Sequence, residues 1–167
     1  MQEIEYAKAL FDLASNNNEM LDEFQKFNEI LEYNQFLELL KAPNIKKEEK
    51  KEILKKTLKN FDVTFLHFLF VIIDNNRIND LNQIYDCYYK MVLKSNNEEL
   101  VDIYLPKEIS EKELESLKNK LELKFNKKLV IRVHIVSKLI GGMRIEYDGK
   151  SIDETVLKEF IKIKSLL

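Results

Sequence analysis

The side chains best suited to nucleophilic, acid–base or metal chemistry in this sequence are Cys87, His67 and His134, and they stand far apart. A thiol becomes a nucleophile when a base takes its proton, and no histidine or comparable base lies near Cys87 in sequence. A single cysteine excludes an internal disulfide and a cysteine-only metal site, and with two histidines far apart in sequence zinc or haem would need an unusual site. The acids are scattered over amphipathic segments, without Ser/His/Asp or metal-type spacing. Catalytic residues, metal ligands and cofactors are therefore all expected to be none. Cys87 reads as a small packing residue, and His67 as a histidine of a helix core or its margin.

Two patterns could instead hold phosphate. All three glycines fall within LIGGMRIEYDG, Leu139 to Gly149, and Gly141 and Gly142 are adjacent. A phosphate loop needs P-loop or GxGxxG spacing opening a helix. This pair instead opens a run in which Met143, Ile145 and Tyr147 alternate with Arg144, Glu146 and Asp148, the period of a strand. Gly141 and Gly142 are expected to serve backbone shape, as a bend or close approach at a strand start. The second pattern is KKEEKKEILKKTLK, Lys46 to Lys59, with seven lysines against three glutamates. It has no aromatic residues between the basic ones, and the whole chain carries a net charge of -2. That combination argues against a nucleic-acid partner and for the solvated face of a helix.

The elements that must position these residues follow from periodicity. In the first, Ile4, Ala7, Phe11 and Ala14 recur at helical steps, while Tyr6, Ala9, Leu10 and Leu13 make a second apolar stripe. The first helix is thus apolar on nearly opposite sides. The asparagines at 16–18 end it. A second helix carries Met20, Leu21, Phe24, Phe27, Ile30 and Leu31; a short third spans Phe36 to Leu40, closed by Pro43. The lysine-rich helix is fourth. Phe61 to Ile73 is a fifth helix, apolar nearly all round, too short to span a bilayer and interrupted by Asp62, Thr64 and His67. After Asp74-Asn75-Asn76 a sixth presents Leu81, Ile84, Tyr85, Tyr88, Met91 and Val92. Beyond Ser95-Asn96-Asn97 the period changes to two over Val101, Ile103 and Leu105. Ser110 with Glu113 marks a capped helix, and strands flank the glycine pair. Asp153 is expected to cap a last helix carrying Val156, Leu157, Phe160, Ile161 and Ile163. The predicted class is α+β: a six-helix amino-terminal bundle over residues 1–105, then a small β-α-β-β-α domain over 106–167, with the strand near 99–105 open to inclusion in the second part.

Four separated segments carry a family resemblance. YAKALFDLA (Tyr6 to Ala14), FLELLKAPNIKKEEKKEIL (Phe36 to Leu54), FLHFLFVIIDNNRINDLNQI (Phe65 to Ile84) and LIGGMRIEYDGKSIDETV (Leu139 to Val156) are similar, in order and spacing, to the delta subunits of bacterial F-type ATP synthases. That family is homologous to the mitochondrial oligomycin-sensitivity-conferring protein. The chain departs from the family pattern at Val136 and at Asp153-Glu154-Thr155-Val156.

The resemblance implies a non-catalytic stator subunit that keeps the catalytic head from turning with the rotor. The family's helical bundle holds amino-terminal helices of the alpha subunits, and its carboxy-terminal part meets the end of the b-subunit peripheral stalk. On this chain the implied alpha-binding groove lies between the first helix, with Tyr6, Ala7, Leu10, Phe11 and Ala14, and the fifth, with Phe65, Leu69 and Ile72. Gly141, Gly142 and Asp153 carry the structural motif of the small domain. The chain opens MQEIEYAKAL, without a basic secretory or Arg/Ser-rich transit segment, so the expected location is the cytoplasmic face of a bacterial plasma membrane, held there only through the complex. A helical adaptor unrelated to ATP synthase is the competing expectation.

Overall fold

The computed structural model describes residues 2–139, 141–147 and 149–155. It divides into two compact units, Met1–Val92 and Leu93–Leu167.

The first unit holds six helices: α1 (Gln2–Leu13), α2 (Asn17–Leu31), α3 (Asn34–Lys41), α4 (Lys47–Thr57), α5 (Val63–Asp74) and, after a 3₁₀ turn at Ile78–Asp80, α6 (Leu81–Ser95). Local chemistry sets several of these boundaries. The Asn16 side chain accepts from the backbone N–H groups of Asn18 and Glu19 and starts α2. Asp62 does the same for α5, accepting from the Thr64 N–H at 2.7 Å. Both satisfy donors that a helix leaves unpaired in its first turn. Inside, Phe24 meets Phe65, Phe68, Tyr85 and Tyr88 at ring-centroid separations of 5.2 to 6.2 Å. Burying a phenylalanine fully is worth about 1.5–3 kcal/mol, so this aromatic knot, drawn from α2, α5 and α6, is a main tie among the helices.

The second unit is built on a mixed sheet in the order β2-β1-β3-β4, formed by β1 (Glu98–Leu105), β2 (Lys128–Ile135), β3 (Gly142–Tyr147) and β4 (Lys150–Thr155). β1 and β2 are parallel, which requires a crossover; α7 (Glu111–Phe125) supplies it. Ser110 and Glu113 form the expected capping box at its start. β3 pairs antiparallel with β1 and with β4. One sheet face carries Val101, Ile103, Leu105, Leu129 and Ile145, buried with Leu121 of α7. β1 is therefore hydrogen-bonded at the centre of the second unit's sheet.

The α+β class holds, with the helices first and the sheet after them. One element differs. Asp153 does not cap a helix: the backbone stays extended through Thr155, and Asp153 lies in β4 opposite Arg144. Tyr147 pairs with Lys150 across a two-residue connection in which Gly149 has φ +71°. A hairpin turn of that length feeds the chain straight back into the ladder, and ladder hydrogen bonds from 150 to 155 outweigh a local capping preference. The helix expected over Val156, Leu157, Phe160, Ile161 and Ile163 lies outside the described residues.

Candidate partner interface

α1 and α5 pack against each other, but they do so through the residues assigned to a groove. Ala7, Leu10, Phe65, Leu69 and Ile72 are each at most 1 % exposed. Tyr6, Phe11 and Ala14 are half-buried against the same core. So five of the eight candidates hold the bundle together, and three lie at its margin. The core takes the seam between the two stripes of α1, where Ala7 and Leu10 sit three residues apart, leaving Ile4 and Leu13 on the outer edges.

Those edges matter because of what else is exposed. Among the described residues, the large apolar side chains left to solvent are Ile4, Leu13, Tyr33, Val63, Val71, Leu123 and Ile135. Four of these seven belong to α1 and α5. On α5 the outward positions Val63, His67, Phe70, Val71 and Asp74 follow helical spacing, and the first four make a largely apolar stripe. Sequence periodicity could not single out these positions, because α5 is apolar nearly all round.

One margin of the α5 stripe is cationic. Lys47, Lys51 and Lys55 recur every four residues along α4, which packs on α5. The Lys47 ammonium donates to the Asp74 carbonyl at 2.7 Å, satisfying one of the acceptors that α5 leaves at its end. Lys51 pairs with the Asp74 carboxylate at 2.6 Å, and Lys55 with Glu52 at 3.0 Å. Lys51 and Lys55 also stand 5.8 and 5.6 Å from the centre of the Phe70 ring. Just past this same end of α5, Asn76 takes φ +57°, and the N–H of Arg77 returns to the Ile72 carbonyl at 2.9 Å. The Arg77 guanidinium then bonds Asp80 at 2.9 Å and the side chain of Gln2, tying the α5–α6 junction to the start of α1.

In the second unit, the sheet face opposite α7 is polar. The register sets Asp102 beside Arg132 and Glu146, and Tyr104 beside His134 and Arg144. Asp102 accepts from Arg132 Nε at 2.6 Å and meets His134 Nε2 at 2.7 Å. Burial pushes this carboxyl up, but the hydrogen bonds and positive charge brought by Arg132 and His134 win and hold it below its ordinary value. The Tyr104 ring stacks on His134 at 4.7 Å and carries the Arg144 guanidinium at 4.2 Å. The alternation of Arg132 with His134 and of Arg144 with Glu146 is visible in the sequence; their meeting on one face needs the parallel β1–β2 pairing. Gly142, the first residue of β3, has φ +77°.

Cys87 is half-buried, and burial pushes its thiol up, away from the thiolate a nucleophile needs. Among the described residues no group of His, Cys, Asp and Glu could hold a metal ion, and no helix is long and apolar enough to cross a membrane.

Comparison with known proteins gives consistent matches. The family described as ATP synthase delta (OSCP) subunit matches residues 3–167. The ATP synthase subunit delta of Clostridium kluyveri is 30% identical, over 97% of this chain and 92% of that one. The subunit delta of Rickettsia felis is 31% identical, over 97% and 91%. A chain of the Toxoplasma gondii mitochondrial ATP synthase hexamer, solved by cryo-electron microscopy, superposes with a TM-score of 0.80 over 99% of this chain and 97% of that one. At 12% identity that last likeness concerns the fold.

Proposed function

The chain belongs to the ATP synthase delta (OSCP) subunit family, and on that premise we propose that it is a non-catalytic stator subunit. It links the catalytic head of an F-type ATP synthase to the b-subunit peripheral stalk, so that the head does not turn with the rotor. The first unit binds an amino-terminal helix of the alpha subunit, and the second binds the carboxy-terminal end of the b subunits. Its place is peripheral, on the cytoplasmic face of a bacterial plasma membrane, through the complex alone.

The observation that supports the alpha-binding half is the concentration of solvent-exposed apolar side chains on α1 and α5. An amphipathic helix laid along such a surface buries its own apolar face there. The contact set on this reading is Leu13, Val63 and Val71, joined by the half-buried Tyr6, Ala14 and Phe70; Ile4, nine residues from Leu13, lies on the opposite side of α1. The buried Ala7, Leu10, Phe65, Leu69 and Ile72 support these positions from below.

The test is a pull-down of the tagged chain from its own cells, read by ATPase activity and by the alpha subunit. The wild type should bring down both. Leu13→Asp and Val71→Asp change exposed positions, so each should keep its helical circular dichroism and lose the alpha subunit. If both variants are folded and still capture alpha in wild-type amounts, the surface is not the binding site.

A further inference from the structure

The lysine ladder of α4 has a use that neither the stability of the bundle nor the family match accounts for. Lys47, Lys51 and Lys55 span two turns of helix, about 12 Å at 1.5 Å per residue. Within the ladder, three ammonium groups face two carboxylates, Asp74 and Glu52, and among the described residues Lys47 bonds a neutral carbonyl. Lys50 is half-buried and Lys46 exposed beside them, so the margin keeps an excess of positive charge. Two of the three ladder cations stand over Phe70, within the outward apolar stripe of α5. The cations therefore border an apolar track; they do not form an isolated basic patch. Residues 1–40, by contrast, carry nine acids against two lysines. Whatever lies along α5 meets positive charge on its α4 side, while α1 and α2, which also pack on α5, belong to the acidic segment.

We propose that the helix seated on α5 carries acidic side chains along the edge that faces α4, spaced three or four residues apart to match the lysine ladder. The inference rests on the reading that α5 binds a helix of the catalytic head. It adds the chemistry of that helix and the direction in which it is turned: acidic edge to α4, apolar stripe to Val63, Phe70 and Val71. A phosphate backbone would use the lysines but would gain nothing from the apolar track, which is why an amphipathic acidic helix fits better. Charge placed on the rim of an apolar contact chooses partner and register and speeds encounter, and its effect falls with ionic strength.

The experiment titrates the full-length chain with the catalytic head of the same organism, stripped of this subunit, at low and at high salt. The Lys47→Gln, Lys51→Gln, Lys55→Gln triple variant should bind about ten-fold more weakly than wild type at low salt, in line with a few exposed or half-exposed charge pairs. The difference should shrink at high salt. The matching triple arginine variant keeps the charge and should keep the affinity, which separates the loss of charge from any disturbance of α4. If the glutamine variant binds like wild type at both salts while Val71→Asp abolishes binding, the acidic edge is wrong and the α5 docking site stands. If neither variant changes binding, the docking site itself fails and the inference with it. Tighter binding by the glutamine variant would mean that the facing edge is basic, and would overturn the proposal. So would unchanged head binding together with salt-sensitive binding of a DNA duplex that only the wild type shows.

Discussion

At the scale of single residues, a chain with three glycines still has to end its helices. Three of its helices do so with asparagine, while α2, α3 and α4 stop at Glu32, Ala42 and Leu58. Among the described residues, the non-glycine residues at positive φ are Asn76, Asn97 and Asn126, which follow α5, α6 and α7 respectively. Asparagine tolerates the left-handed region better than other side chains. At Asn76 the N–H groups of Asn76 and Arg77 return to the carbonyls of Ile73 and Ile72, the two-bond closure of a helix terminus. Asn76→Gly should leave stability unchanged or raise it by a few tenths of a kcal/mol. Asn76→Ala should cost up to about 1 kcal/mol, since alanine keeps the Cβ in the left-handed region but loses the short polar side chain that lets asparagine bond locally there. Thermal melts of the two variants check this; equal midpoints would mean that φ at 76 is not under strain. The breaks at Asn75-Asn76 and Asn96-Asn97 were readable as sequence because asparagine clusters between apolar periods rarely continue a helix. Which asparagine of each pair turns left-handed was not, since that depends on where the last carbonyl lies.

At the scale of elements, legibility followed the number of apolar residues per period. Five of the first six helices and the strands β1 to β3 each hold at least three apolar residues at a recurring step, while α4 holds Ile53 and Leu54 with Leu58 just past its end. β4, with the sequence KSIDET, holds only Ile152, so Asp153 stood out as a cap when it belongs to a ladder. α1 failed in the opposite way. It has too many apolar positions, and only packing decides that Ala7 and Leu10 go inward while Ile4 and Leu13 stay out. The sheet shows how register makes a site from residues thirty positions apart: Asp102 on β1 receives Arg132 and His134 from β2. Its carboxyl is held below its usual value in the fold, so its contribution is complete above about pH 4, the unfolded value. That contribution fades as pH falls through the lower folded value. Asp102 is 15% exposed, and hydrogen bonds to charged groups are worth about 1.5–3 kcal/mol. Asp102→Asn should therefore destabilise the second unit by roughly 1–2 kcal/mol at pH 7, since its half-exposed partners can turn to water. It should also flatten the loss of stability below pH 4. Urea titrations of both proteins at pH 7 and pH 3 give the comparison; a constant difference between them at the two pH values would rule out this role for the carboxylate.

At the scale of the whole molecule, the two units are unequal. Among the described residues, the first buries eighteen apolar side chains in one cluster and the second buries six. No residue is shared between the two buried sets. Each unit hides its own cluster, and the stability of each scales with the apolar surface it buries. A domain of some 60–75 residues is near the size at which a single core is marginal. The second unit also depends on a parallel pairing, β1 with β2, that a crossover must bring together. A lower stability is expected of it, and suits a part whose proposed partner is the end of a long stalk, because a bound partner stabilises whatever fold it selects. In the free chain, limited proteolysis should cut first beyond residue 93 and leave an amino-terminal fragment that resists further digestion and keeps its helical circular dichroism. Urea should resolve two transitions, with the sheet lost first. Adding the carboxy-terminal segment of a b subunit should move the first transition to higher urea and leave the second in place. A first cut within residues 1–90, or one transition seen alike by helical and sheet probes, would show that the two cores do not act independently.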